Sequence, residues 1–301
     1  MTGWERDAVV APDAPRARIV DRGYRAYTGP RHGVRGSMRT VWLQSVQRAL
    51  GLRRSTWAKI LPIASVAISF VPAIVFIGLV ALLPEEDVTG IELPTYGEYF
   101  LFIQAAITLF IAFVGPEVLC TDRRTGMLGI YLASPLDRDT YLAAKALAVG
   151  SVLSLVTIGP PLLMLVAYII QGVGPDGPAG VAATFVRIVG GGLMLSALYT
   201  AVSLGVSSLT DRKAFATAAL LLLVVVSSVF LGVLVDAAGL PGGFNAVNLI
   251  AGPFGLVQLI HGERVEIEGL TLPVAIAGVA AWTVLGAAVC RVRYQTLQVT
   301  R

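Results

Sequence analysis

Residues 237–262 read AAGLPGGFNAVNLIAGPFGLVQLIHG, 26 residues without one formally charged side chain. A helix needs about 20 apolar residues, within roughly 17–25, to cross a hydrocarbon core of about 30 Å. Length alone would make this stretch a membrane span, and whether it is one decides the fold. Pro241, Gly242, Gly243, Gly252, Pro253 and Gly255 interrupt it. Such breakers do occur in spanning helices, so they do not settle the matter alone. The rest of the chain does.

Outward from it lie six further charge-free gaps. Lys59 to Glu85 encloses 25 residues, Glu98 to Glu117 18, Lys145 to Asp176 30, and Arg187 to Asp211 23. Lys213 to Asp236 and Glu268 to Arg291 enclose 22 each. These place spans near 60–83, 99–118, 146–171, 182–209, 214–235 and 270–290. Of 301 residues 55% are hydrophobic and 14% charged, against about 25% charged in soluble proteins. Mean hydropathy is +0.76. There is too little polar surface to coat a soluble globule, so the composition is that of an integral membrane protein.

Cytoplasmic loops collect Lys and Arg. With six spans and an internal N-terminus, the inner segments 1–59, 119–145, 210–213 and 291–301 hold 21 of the 23 basic residues. Only Arg187, inside the fourth span, and Arg264 remain. A seventh span would move Arg291, Arg293 and Arg301 outside, so the reading rejects it. Residues 237–262 then enter the outer leaflet as broken re-entrant or interfacial helices. Cys120 and Cys290 end spans on the cytoplasmic side, where thiols stay reduced.

The chain before the first span contains no apolar core of signal-peptide length. Residues 1–36, rich in arginine and proline, read as a disordered basic cytoplasmic tail. In 37–56, Trp42, Leu43, Val46, Ala49 and Leu50 share a helical face, which suggests an interfacial amphipathic helix; the alternative is a basic tail attracted to anionic lipid. Residues 57–301 form the six-span domain.

Most enzyme chemistry lacks its parts. His32 and His261 are too few for a His-rich metal site. No HExxH, GxSxG or Walker A string (GxxxxGK followed by Ser or Thr) occurs. The chain reads as no enzyme, without cofactor or metal of its own. Arginine beside a membrane serves orientation and lipid attraction, so no nucleic acid partner is expected.

The inner loop is the most informative segment, GPEVLCTDRRTGMLGIYLASPLDRDTYLAAK over 115–145. Pro116 loosens the end of the second span. Met127, Leu128, Tyr131 and Leu132 follow at helical spacing and form a short apolar stripe, closed by Pro135. Asp137 is placed to cap a new helix carrying Tyr141, Leu142 and Lys145. The pattern predicts a compact amphipathic helix-turn-helix too short for its own core, whose apolar face needs the interface or a partner protein.

This run resembles the loop after the second helix in permease subunits of type-2 ABC transporters, bacterial exporters among them. The shared pattern is an acid, a basic pair, Gly-x-Leu, a Leu-x-x-Pro-Leu step, and Tyr with a following Lys. Here it falls on Glu117, Arg123–Arg124, Gly126 and Leu128, Leu132 with Pro135 and Leu136, then Tyr141 and Lys145. SSLTDRKAFATA at 207–218 resembles the family's tight inner turn between helices four and five, and 237–262 its re-entrant helices. The arginine-rich tail has no counterpart in the pattern.

The resemblance implies an all-α integral membrane protein with six transmembrane helices, an N-terminal interfacial helix, a cytoplasmic coupling helix and broken re-entrant outer helices. It implies a plasma-membrane exporter subunit, both termini cytoplasmic, paired with a second permease copy or paralogue. Each permease would engage a cytosolic ABC ATPase that binds ATP and Mg. Coupling would fall to Arg123, Arg124, Met127, Leu128, Tyr131, Leu132 and Pro135. An aliphatic path would favour amphipathic or lipid-like cargo. The rival reading is a six-span scaffold or anchor that transports nothing.

Five features carry open alternatives. Glu117 is a gate or boundary carboxylate, or the partner of a local ion pair with Arg123 or Arg124. The Arg123–Arg124 pair meets lipid phosphate or a partner protein. Arg187, about six residues inside the fourth span, marks a pathway or snorkels to headgroups. Pro160–Pro161 and Gly190–Gly192 serve kinks or close helix packing.

Overall fold

Apolar segments in lipid satisfy their backbone internally, which favours helices, and the described residues contain helices and no strand. The computed structural model describes residues 29, 32–52, 56–82 and 93–297. The chain divides at Gly33, and the described helices belong to the unit Gly33–Arg301. They are α1 Gly33–Ala49, α2 Thr56–Leu82, α3 Tyr96–Phe102, α4 Gln104–Arg124, α5 Met127–Leu132, α6 Arg138–Ile170, α7 Gly177–Ser208, α8 Lys213–Ala238, α9 Ala251–His261 and α10 Leu272–Thr296. A 3₁₀ helix, Gly242–Val247, precedes α9. Six of these, α2, α4, α6, α7, α8 and α10, are long and apolar enough to cross a membrane.

The second span differs from its expected 99–118. A capping box, Thr95 with Glu98, starts the short α3, and the chain breaks at Ile103 before α4 begins. The Tyr99 hydroxyl donates to the Ser69 carbonyl at 2.6 Å, which ties α3 to α2. α4 then runs on to Arg124 through Pro116 without a break.

α4 is the central helix, with 67% of its apolar window buried, against 17% for α2 and 11% for α8. α7 and α10 pack most closely, because Gly205 and Gly286 meet there. A Cβ on Gly286 would lie 2.5 Å from the Ala201 carbonyl oxygen. Between α6 and α7, Thr157 Oγ1 lies 3.0 Å from the Gly192 carbonyl oxygen and 2.9 Å from Ser196 Oγ. The Gly191–Gly192 side of the triplet therefore serves packing; a Cβ on Gly190 would meet nothing.

Residues 237–262 form no single span. Gly239 ends α8 in the left-handed conformation, and Gly262 ends α9 likewise. Neighbouring side chains take up the backbone groups freed between them. Asn248 Oδ1 accepts from the Ile250 and Ala251 amides at 2.8 and 3.0 Å. Tyr199 of α7 donates to the Leu249 carbonyl and Trp282 of α10 to that of Val247. Irregular backbone is tolerated at depth only with such partners.

The interfacial helix expected over 37–56 falls on α1, with 53–55 outside the described residues. Its buried edge is Val41, Ser45 and Ala49, at successive i, i+4 steps, while Leu43 is exposed. Of the tail expected to be disordered, 1–28, 30 and 31 lie outside the described residues, and Gly33–Gly36 are the first turn of α1.

Candidate functional site at the basic end

On α4, Val114, Val118 and Asp122 recur every fourth residue and all are buried. A carboxylate thus arrives at a core position, at the root of the loop before α5. Three side chains from two helices answer it. Arg48 of α1 forms an ion pair with Asp122 Oδ1. From α6, Lys145 Nζ lies 2.6 Å from Oδ2, and the Tyr141 hydroxyl donates to the same oxygen at 2.9 Å. Lys145 also donates to Ser45 Oγ of α1 at 2.9 Å.

Burying an ammonium costs several kcal/mol unless partners offset it. Lys145 is only 1% exposed, and Asp122, Ser45 and two aromatic faces surround it. Its Nζ lies 5.4 Å from the ring centres of both Tyr131 and Tyr141, within the roughly 6 Å reach of a cation–π contact. Tyr131 belongs to α5, so the short helix leans on the buried charge. From Tyr131 the rings continue through Tyr141 to Tyr294 of α10, with centroids 5.6 and 6.0 Å apart.

Local sequence sets this geometry. Gly126, at φ 70°, turns the chain between α4 and α5, a conformation glycine adopts without strain. Asp137 caps α6 by accepting from the Thr140 amide, and Thr140 Oγ1 accepts from the Asp137 amide. The Thr140 hydroxyl, donating to the Asp137 carboxylate, and then the Thr140 amide hold that carboxyl below its ordinary pKa. Burial raises the Tyr131 phenol, with the Asp122 charge adding to it. Burial works against the Arg48 charge, but Asp122 outweighs it and the guanidinium pKa rises.

The other residues singled out from sequence divide between this cluster and its surroundings. Glu117 is buried and bonds Lys213 of α8 at 2.7 Å, while Thr121 donates to its other oxygen at 3.2 Å. To the two readings left open for Glu117, a gate or boundary carboxylate or an ion pair with Arg123 or Arg124, the structure adds an ion pair with Lys213 of α8. Arg123 turns inward and donates to the Ser208 and Thr210 carbonyls at 2.6 and 3.0 Å, closing the end of α7. Arg124 is exposed. Leu128 and Tyr131 pack against the bundle, whereas Met127 and Leu132 are half-buried and Pro135 exposed. Half of the expected stripe, Leu128 and Tyr131, therefore leans on the bundle, and the most exposed large apolar side chain of α5 is Ile130, 64% exposed. Arg187 lies at the opposite end, where it donates to the His261 carbonyl at 2.9 Å and closes α9.

Sequence reasoning missed Asp122, Arg48 and Ser45. Asp122 reads as a surface charge beside two arginines, and only its register with Val114 and Val118 betrays it. Ser45 hides in the same way between Val41 and Ala49.

Together these features define a multi-pass helical membrane protein whose basic end braces a short projecting helix. Residues 35–249, from the first turn of α1 to the middle of the broken segment, match the family described as ABC-2 family transporter protein. The chain belongs to that family and is a transmembrane subunit of an ABC transporter, a class of membrane subunit that partners an ATPase. No curated protein matches the chain.

Proposed function

We propose that the chain is the membrane half of an exporter in the plasma membrane, with the basic end and both termini cytoplasmic. A separate ATPase binds ATP and Mg, receives α5 and its flanks in a groove, and moves it on closure. A second copy or paralogue completes the path for an amphipathic or lipid-like cargo. The observation that supports this reading is the Asp122 cluster. It fastens the root of α5 to α1, α4 and α6 through the buried Asp122–Lys145 pair and a partly exposed Arg48, so force on α5 reaches three helices at once. This suits a two-state element biased by a partner's nucleotide state. A passive anchor has no use for such bracing.

The partner-facing side is read from exposure: Ile130, with Pro135 further along the same loop. The test is nucleotide turnover in a purified permease–ATPase pair. Ile130→Asp, which leaves the bundle's own packing intact, abolishes the stimulation of turnover by the permease while thermal melting stays unchanged. Unaltered turnover in that variant, or purification without any ATPase, rejects the assignment.

A further inference from the structure

Phe113, Glu117 and Arg124 lie on α4 at i, i+4 and i+11, which puts all three on one face, away from Asp122. That face opens on a cavity of about 920 Å³ at the basic ends of α2, α4 and α8. Its inner walls are apolar, with Phe113, Phe215 and Leu221 among them. Its mouth is cationic, formed by Arg124, Arg212 and Lys213 together with Asp211. Lys213 is already neutralised by Glu117. Arg124 and Arg212 have no ion pair among the described residues, and the Arg212 guanidinium sits 5.7 Å from the Phe215 ring centre, held at the rim. An apolar slot beneath two unneutralised guanidinium groups complements a phosphate head with an acyl tail. Arg binds phosphate bidentately, and the walls take hydrocarbon.

We infer that this cavity binds an anionic glycerophospholipid, with its phosphate between Arg124 and Arg212 and an acyl chain along Phe113 and Leu221. Placing that lipid in the inner leaflet rests on the orientation proposed above; the binding chemistry does not.

The full chain is reconstituted in phosphatidylcholine nanodiscs containing a photoreactive-acyl phosphatidylglycerol or, in parallel, photoreactive-acyl phosphatidylcholine. Labelled peptides are then mapped. Phosphatidylglycerol labels the segments around Phe113 and Phe215–Leu221 in preference to phosphatidylcholine. Arg124→Gln and Arg212→Gln each cut that preference about fivefold, the usual worth of one cation at an anionic surface, and raised salt weakens it. Ala218→Trp, which fills the cavity and leaves its charges in place, removes the labelling without altering the melting temperature. Equal labelling by both lipids, or a preference that survives the double Gln variant, overturns the inference. Displacement by inorganic phosphate alone overturns it too, because the site would then hold a free anion. The experiment contains no ATPase, so this site and the coupling reading fail separately.

Discussion

Asp122 has no exposed surface, and Arg48, Lys145 and Tyr141 converge on its two carboxylate oxygens. Removing one member of a buried pair leaves the other unanswered, at a cost of about 3–5 kcal/mol. Asp122→Ala therefore lowers the thermal midpoint of the purified chain sharply. Asp122→Leu combined with Lys145→Met and Arg48→Met recovers much of the loss, since a well-packed apolar replacement of a whole buried charge cluster is close to neutral. A melting temperature insensitive to Asp122→Ala would show that the charges are not confined as described. At this scale the sequence was least legible. Glu117 offered two nearby arginines and took a lysine 96 positions away, and nothing in the local pattern announces a partner brought in by tertiary packing.

Helices were the most legible level, because charge-free length and capping residues act locally. Asp137 and Gly126 do what their chemistry dictates, and Pro241, Gly242 and Gly243 fall at the 3₁₀ turn, whereas Gly252, Pro253 and Gly255 lie within α9. The split of the second span was not legible. Ile103 carries no breaker signal, and the bend follows from α3 being tied to α2 and packed against α9. The α7–α10 crossing depends on absent side chains, so Gly286→Ala, with its Cβ against the Ala201 carbonyl oxygen, costs about 1–3 kcal/mol as overpacking. A melting curve for Gly286→Ala superimposing on wild type would contradict that packing.

The end of α9 carries an acid sensitivity. Burial holds the His261 imidazole below its ordinary pKa of 6.5; its bond to the Val257 carbonyl and the Glu263 charge oppose the shift, and Arg187 reinforces it. Its Nε2 has no hydrogen-bond partner among the described residues. The unfolded chain therefore takes up a proton before the folded one does. The stability gained by keeping His261 neutral is full above about pH 6.5 and is lost as pH falls through the lower folded value. His261→Gln flattens the pH dependence of the melting temperature in that acid range; an unchanged slope would place the titration elsewhere.

For the whole molecule, six spans and their alternation follow from where charges are missing and where arginines gather. How a partner's motion would enter the bundle does not. The apolar periodicity of α5 pointed to Met127, Leu128, Tyr131 and Leu132, yet a six-residue helix braced on a buried lysine turns two of these inward. The apolar surface left outside, proposed above as the contact surface, is Ile130 and its exposed flanks. The most direct measurement is crosslinking from Ile130→Cys with a short thiol-reactive reagent, in the intact complex with and without trapped ATP. The account predicts a crosslink to a nucleotide-hydrolysing chain, with a yield that changes between the two nucleotide states. Failure to reach any such chain in either state would contradict it.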